Sequence, residues 1–246
     1  MAVLIWKKIT FGNINTSLVK NMENLFAYCS KLESIDVSNF NTSSVTSMAG
    51  MFGNCEILTS INVSNFNTQN VENMLNMFAY CYKLTSVNAS NFDTSKVQDM
   101  QGMFAHNYEL KYLDLSNFNN SLVTNMKYMF QDSKSLLYLN LYSFIIKNGI
   151  PIDSVLLDTP SNLKICINDL NTRNILSSYG KTFDCSNVCI NKNLKIDSQY
   201  KRCVENCNET NYKYEYNNTC YNECPYETYS KENEYFAMIK NLKVII

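Results

Sequence analysis

The 246 residues carry 21 basic and 22 acidic side chains, one histidine and six glycines. Near-neutral charge with scattered Lys and Arg argues against a nucleic-acid binder, and no run reaches the ~18 apolar residues of a membrane helix. One histidine and no Gly-rich loop remove the commonest acid–base and phosphate-binding arrangements. The N-terminal M-A-V-L-I-W-K-K is too short for a signal peptide, and its charges follow the apolar run instead of preceding it.

Most of the chain is one pattern repeated every 26 residues. Phe40, Phe66, Phe92, Phe118 and Phe144 form one column. Val19 to Val123, Met22 to Met126, Phe26 to Phe130 and Leu32 to Leu136 form others at the same step. A period of this size marks a solenoid, in which apolar columns stack into one core and polar letters drift.

In chain order, W-K-K-I-T-F reads as a first strand, so residues 1–13 are half a unit that begins after its own helix. The expectation is therefore a fragment of a longer chain. Five full units follow over 14–143. In each, residues such as Val45, Met48, Met51, Phe52 and Cys55 lie on one side of a helix. Asn41-Thr42 and Asp93-Thr94 stand where N-caps would. The following Leu58-x-x-Ile61-x-Val63 alternates as a short half-buried strand. Residues 144–183 form a degenerate capping unit, with Pro151-Ile-Asp-Ser-Val-Leu-Leu as its altered helix and N-L-K-I-C-I as its strand. The predicted fold is α/β: a right-handed, leucine-rich-repeat-like solenoid (1–183) of helix–strand units, then a cysteine-rich module (184–230) and a tail (231–246) that is a short terminal helix or the start of a further segment.

The ten cysteines split in two. Cys29, Cys55 and Cys81 share a column that continues as Asn107 and Ser133, and read as buried, reduced side chains. Cys166, Cys185, Cys189, Cys203, Cys207, Cys220 and Cys224 include three C-x3-C pairs in a polar, Tyr-rich stretch that cannot build a core alone. Disulfides are the usual remedy. Zinc is the rival, but its pairs are usually C-x2-C or C-x4-C, often with His, and the single His106 lies in the solenoid. Cys166 is expected to point out of its strand and to pair with Cys185 or Cys189.

No catalytic, cofactor or metal site is expected. Asp36 and Asp114 share a column, but Asn62, Asn88 and Asn140 interrupt it, so it reads as solvated strand positions and not as a calcium ladder. Nine of the eleven methionines fall in two inward columns and read as core filling. The outward strand residues are small and polar in early units; later units introduce Tyr112, Tyr138 and Tyr142. Tyr combines an apolar body with a polar tip, so Tyr112, Asp114, Tyr138, Asn140 and Tyr142 are the candidate partner-binding residues, on a face expected to be concave. Sequons occur at Asn15, Asn41, Asn62, Asn88, Asn119, Asn208 and Asn217. Chance in so Asn-, Ser- and Thr-rich a chain gives about six, so their number alone does not argue secretion.

The pattern S-N-F-[ND]-T-[SQ]-x-V-x-x-M-x-x-M-F-x-x-C-x-x-L-x-x-[IVL]-x-[VAL] resembles the 26-residue "bacterial surface protein" repeat, a BspA-like leucine-rich repeat, over residues 6–167. The cysteine-rich stretch around Y-E-Y-N-N-T-C-Y-N-E-C-P looks like modules of protist surface proteins. These resemblances imply a non-catalytic cell-surface adhesion protein, extracellular, that binds a protein or glycan. Membrane association would come only through segments outside this chain. The alternative is an intracellular scaffold whose late cysteines bind metal.

Overall fold

The structure, a computed structural model, describes residues 7–191, 195–197, 199, 201–204, 214–216, 219–221 and 243–244. The chain forms two compact units, Met1–Ile165 with Asp169–Thr182, and Cys166–Asn168 with Phe183–Ile246.

The first unit is a β-solenoid of about seven turns. Each turn contributes one short strand: β1 (Lys8–Thr10), β2 (Ser34–Asp36), β3 (Ser60–Ile61), β4 (Ser86–Val87), β5 (Tyr112–Asp114), β6 (Tyr138–Asn140) and β7 (Lys164–Cys166). Pairing is parallel at the 26-residue step, with Lys8 opposite Ser34, Ser60 opposite Ser86 and Tyr112 opposite Tyr138. The strands thus fall where the sequence places them, although Trp6 lies outside the described residues.

The helices expected in the five full units are absent, and the helix–strand plan is corrected accordingly. Residues 22–29 form overlapping four-residue turns, one starting every second residue. Leu25, Ala27 and Cys29 N–H donate to the carbonyls of Met22, Asn24 and Phe26. The N–H groups of the residues between them leave the coil altogether. Met22, Asn24, Phe26 and Tyr28 donate to Ser47, Ala49, Met51 and Gly53 of the next coil at 2.8–3.0 Å. The scheme recurs coil after coil, ending with Met126, Tyr128, Phe130 and Asp132 donating to Pro151, Asp153, Val155 and Leu157. A helix would keep those N–H groups inside the segment. The i, i+3 apolar spacing, shared by helices and turns, does not tell the two apart.

Two backbone columns make the choice. Asn24, Gly50, Asn76, Gly102, Tyr128 and Ser154 all have φ between 53° and 61°. So do Tyr28, Asn54, Tyr80, His106, Asp132 and Asp158, with φ of 55–63°. A left-handed residue every fourth position breaks a right-handed helix, and Asn, Asp, His and Gly are the residues that adopt it most readily. The segment from Pro151, expected as an altered helix, is built of the same turns. The residues expected as N-caps do a different job. Asn41 and Asp93 Oδ1 accept the N–H two residues on, from Ser43 and Ser95, in Asx turns. The Ser95 hydroxyl and N–H hold the Asp93 carboxyl below its ordinary range.

The core is continuous through the stack. Met48, Met51, Met74, Met77, Met100 and Met103 are fully buried, as the inward columns require. Phe26, Phe52, Phe78, Phe104 and Phe130 stack with ring centroids 5.5, 5.7, 5.6 and 6.2 Å apart. A short helix missed in the sequence, α1 (Leu170–Leu176), follows β7 and is capped by Asp169, which accepts from Thr172 N–H at 2.7 Å. A 3-10 turn, η1 (Ser177–Tyr179), and β8 (Thr182–Phe183) come next. Tyr179 Oη donates to Ile152 carbonyl, and Lys181 Nζ donates to the carbonyls of Thr159 and Pro160, so this segment covers the last turns.

The second unit holds α2 (Ser186–Asn191) and a sheet in the order β10-β9-β12-β11-β13. These strands are β9 (Lys195–Asp197), β10 (Cys203–Val204), β11 (Tyr214–Tyr216), β12 (Thr219–Tyr221) and β13 (Lys243–Val244). Disulfides join Cys166 to Cys185 and Cys189 to Cys203, and Cys220 is disulfide-bonded too. The C-x3-C pair Cys185 and Cys189 therefore bridges outward to two partners. Cys166 takes Cys185, one of the two expected, but it is fully buried and does not point to solvent. Cys207 and Cys224 lie outside the described residues, as does most of the tail.

Gly50 and Gly102 test the stacking directly. A Cβ at either would collide with Oδ1 of the Asn one coil earlier, Asn24 or Asn76, on a left-handed backbone. Gly50→Ala should destabilise by about 1–2 kcal/mol from the backbone alone and by up to about 4 kcal/mol with the clash. Adding Asn24→Gly, which removes the side chain and tolerates the left-handed backbone at that position, should recover the clash component. Denaturant melts of the single and double variants read the difference, and equal losses in both would refute the collision.

Candidate functional site

The strand face and the turn face offer different surfaces, because the coil uses their polar groups differently. On the strand face, the Asp36, Asn62, Asn88, Asp114 and Asn140 column, read from sequence as solvated, has a structural task. Each Oδ1 accepts the N–H two residues on, at 2.9–3.2 Å, and turns the chain out of the strand. The Ser38 hydroxyl and N–H hold the Asp36 carboxyl below its ordinary range. Asp and Asn are interchangeable here because only one acceptor oxygen is needed.

The five candidate residues separate by exposure. Tyr112 is 63% exposed and Asp114 is exposed. Tyr138, in register beside Tyr112, is half-buried, as is Tyr142, whose phenol is raised above its ordinary pKa by burial. Asn140 is buried, with 4% exposure, and its carboxamide is committed to the Tyr142 turn. Asn140 is thus a turn former, not a contact residue. Leu137, 37% exposed and one position before Tyr138, adds apolar surface the sequence reading left out. The patch is a strip centred on Tyr112, with Asp114 at one end.

Sequence reasoning missed a second cluster, on the turn side. Tyr80 stacks on His106 at 4.3 Å, and Tyr82 on Tyr108 at 4.8 Å, each pair contributed by adjacent coils. His106 Nδ1 lies 3.4 Å from Asp132 Oδ2, and Lys134 Nζ sits 3.2 Å from Asp132 Oδ1 and 4.8 Å from the Tyr108 ring centre. The 26-residue step from Tyr80 to His106 and from Tyr82 to Tyr108 was readable; their stacking across coils was not, without knowing that these positions are turn corners. Burial holds the His106 imidazole below its ordinary pKa, against the pull of Asp132 and with the help of Lys134.

The cysteine column also has a chemical reason. Cys55 and Cys81 Sγ donate to the carbonyls of Phe26 and Phe52 at 3.3 and 3.1 Å. In later coils Asn107 Nδ2 and Ser133 Oγ donate to Phe78 and Phe104 carbonyls at 3.0 and 3.2 Å. The column therefore demands a small buried donor, and Cys, Asn and Ser all supply one. Burial raises the thiols, with Cys81 pushed up to about 12, so they stay protonated and able to donate. This fits the reduced state expected for Cys29, Cys55 and Cys81. No group of three or more potential metal ligands occurs among the described residues.

Two predictions follow from these clusters. Cys81→Ser keeps the donor and should leave stability nearly unchanged, whereas Cys81→Val removes one of the two donors to the Phe52 carbonyl, the Cys55 N–H remaining, and should cost about 0.5–1.5 kcal/mol; thermal melts rank the two. For His106, a folded pKa below the unfolded ~6.5 means the unfolded chain takes up the proton first. Its contribution is intact above about pH 6.5 and falls as pH drops from there toward the folded value. His106 is the only histidine, so His106→Asn, which suits the left-handed backbone, should flatten the melting temperature between about pH 5 and 7. An unchanged slope in the variant would show that His106 does not set it.

Comparison with curated proteins and with solved structures finds no match. Residues 5–90, 59–162 and 81–195 each match the family described as "Mycoplasma protein of unknown function, DUF285". Those overlapping matches cover the solenoid and reach the first disulfides, and the chain belongs to the DUF285 family of repeat proteins.

Proposed function

We propose that this chain is a non-catalytic cell-surface binding protein, a BspA-like adhesion module, that takes a protein or glycan partner on the strand face around Tyr112. The observation that carries this reading is the exposed Tyr112, in register with Tyr138 and flanked by Leu137 and Asp114. Aromatic residues with a polar tip are the commonest interface anchors, and a rigid stack holds this one at little entropic cost. The extracellular location is supported by the disulfides Cys166–Cys185 and Cys189–Cys203, which persist in oxidising compartments. The metal-scaffold alternative gains no support, because five of the seven late cysteines are already disulfide-bonded.

The test uses the full chain on a glycan array and on a panel of intact cultured cells. Tyr112→Ala should weaken binding about 30-fold or more, the loss expected of a hot-spot residue, with an unchanged melting temperature. Ser34→Ala, on the early part of the same face, should bind normally. Equal binding by both variants would move the site off the Tyr112 strip, and the absence of binding to either panel would end the adhesion reading.

A further inference from the structure

Two asparagine roles recur in the repeat and are visible in the hydrogen bonds; Asn120 and Asn125 combine the two. Asn65, Asn91 and Asn117 spend Nδ2 on carbonyls of the preceding coil. Asn15, Asn41, Asn62, Asn88 and Asn119 do the reverse. Each accepts through Oδ1 from the backbone N–H of the Ser two residues on, at 3.0–3.2 Å. All five are exposed, and among the described residues none donates through Nδ2. These five are the sequon asparagines of the solenoid, Asn208 and Asn217 lying outside the described residues; Asn21, Asn67 and Asn73 make the same Oδ1 bond without a sequon. In two of the five the sequon hydroxyl also donates to Oδ1, from Ser43 and Ser90, both at 2.7 Å.

We infer that Asn15, Asn41, Asn62, Asn88 and Asn119 are acceptors for N-linked glycan, and that the stack limits occupancy to three. The reaction is transfer from a lipid-linked diphospho-oligosaccharide. The amide nitrogen bonds to C1 of the first sugar, the C1–oxygen bond to diphosphate breaks, and diphosphate leaves with the electron pair. The amide gives up one proton and nothing is oxidised or reduced. Asn62 and Asn88 directly follow the register partners Ile61 and Val87, so they stand side by side in adjacent coils, about 4.8 Å apart. That spacing is too small for two substituted sugar rings. Asn15 and Asn41 are neighbours in the same way, since Thr16 Oγ1 donates to the Asn41 carbonyl at 2.9 Å. Asn119 has no such rival, because Asp93 stands one coil before it and Ile145 one coil after it. One glycan per pair plus one at Asn119 makes three. The strand-face pair lies on the early coils, while Asp114 and Asn140 carry no sequon. A glycan at Asn62 would lie two coils before Asp114, whereas one at Asn88 would stand one coil from it, at the edge of the Tyr112 strip.

The inference rests on the extracellular location proposed above, and the test is arranged so that the two can fail separately. The full chain with Asn208→Gln and Asn217→Gln is expressed behind a secretion leader in yeast. Secreted and cell-retained chains are both weighed intact before and after amidase treatment. One to three glycans are expected, with Asn62→Gln raising occupancy at Asn88 in peptide maps. No glycan in either fraction would overturn the acceptor assignment, and a species with four or five would overturn the crowding limit. Tyr112→Ala should leave the glycan count unchanged, so a failure of the binding reading would not touch this one.

Discussion

The first unit depends on one exchange of hydrogen bonds. In the turn half of each coil, every second backbone N–H leaves its own segment and donates to the next coil. Strand pairing cannot serve as the main tie, because it is interrupted between β2 and β3 and between β4 and β5. The turn-half ladder continues through those gaps, for example in Met22 to Ser47 and Met74 to Asp99. A single coil has no partner for those donors, and exposing them to an apolar core would be costly. The coil therefore exists only as a member of a stack, with stability held in the interfaces between neighbours.

The polar letters of the repeat serve the same end. In S-N-F-N-T, the first Asn of coils such as Asn65–Thr68 reaches back to the Val37 and Phe40 carbonyls. The Phe enters the core, and the second Asn turns the chain through its own side-chain oxygen. The Thr is buried and reaches forward: Thr42 Oγ1 donates to the Asn67 carbonyl at 3.0 Å and accepts the Asn67 N–H at 2.8 Å. One hydroxyl thus stands in for a residue of sheet pairing. Where Thr gives way to Asn120, the carboxamide makes the same two bonds to Ile145. A substitution is accepted wherever donor and acceptor are preserved, which explains drift without loss of the period.

This sets what could be read in the sequence. The period, the inward columns, the seven strand sites and a disulfide from Cys166 to either Cys185 or Cys189 all follow from spacing and residue type; the choice of Cys185 does not. The helices do not, because Val45, Met48, Met51, Phe52 and Cys55 sit at the ends of turns that each span i to i+3, a spacing any helical template accepts. The contrary information lay in two columns that are not apolar, Asn24-Gly50-Asn76-Gly102 and Asn54-Tyr80-His106-Asp132. Their common property is a backbone angle, and Tyr and His among the Asn and Gly conceal it. The alternation of Asn with Gly is steric, since each Asn side chain occupies the space a Cβ would need at the next Gly.

The candidate site was less legible than the fold for a related reason. Stacking constrains the columns that enter the core or carry ladder bonds, and leaves the outward strand positions nearly unconstrained. Ser34, Ser60 and Ser86 give way to Tyr112 and Tyr138 at no cost to the ladder. A change permitted by the fold is where recognition can be built. Yet the neighbouring column ran the other way: Asn140, read as part of the patch, is buried and holds the turn to Tyr142. Two residues along one strand, both outward by alternation, differ because one carries an oxygen the chain needs in order to leave the strand. On a repeat surface the residues free to recognise a partner are those left over once every turn has its acceptor, and on this face Tyr112 is the most exposed large apolar one.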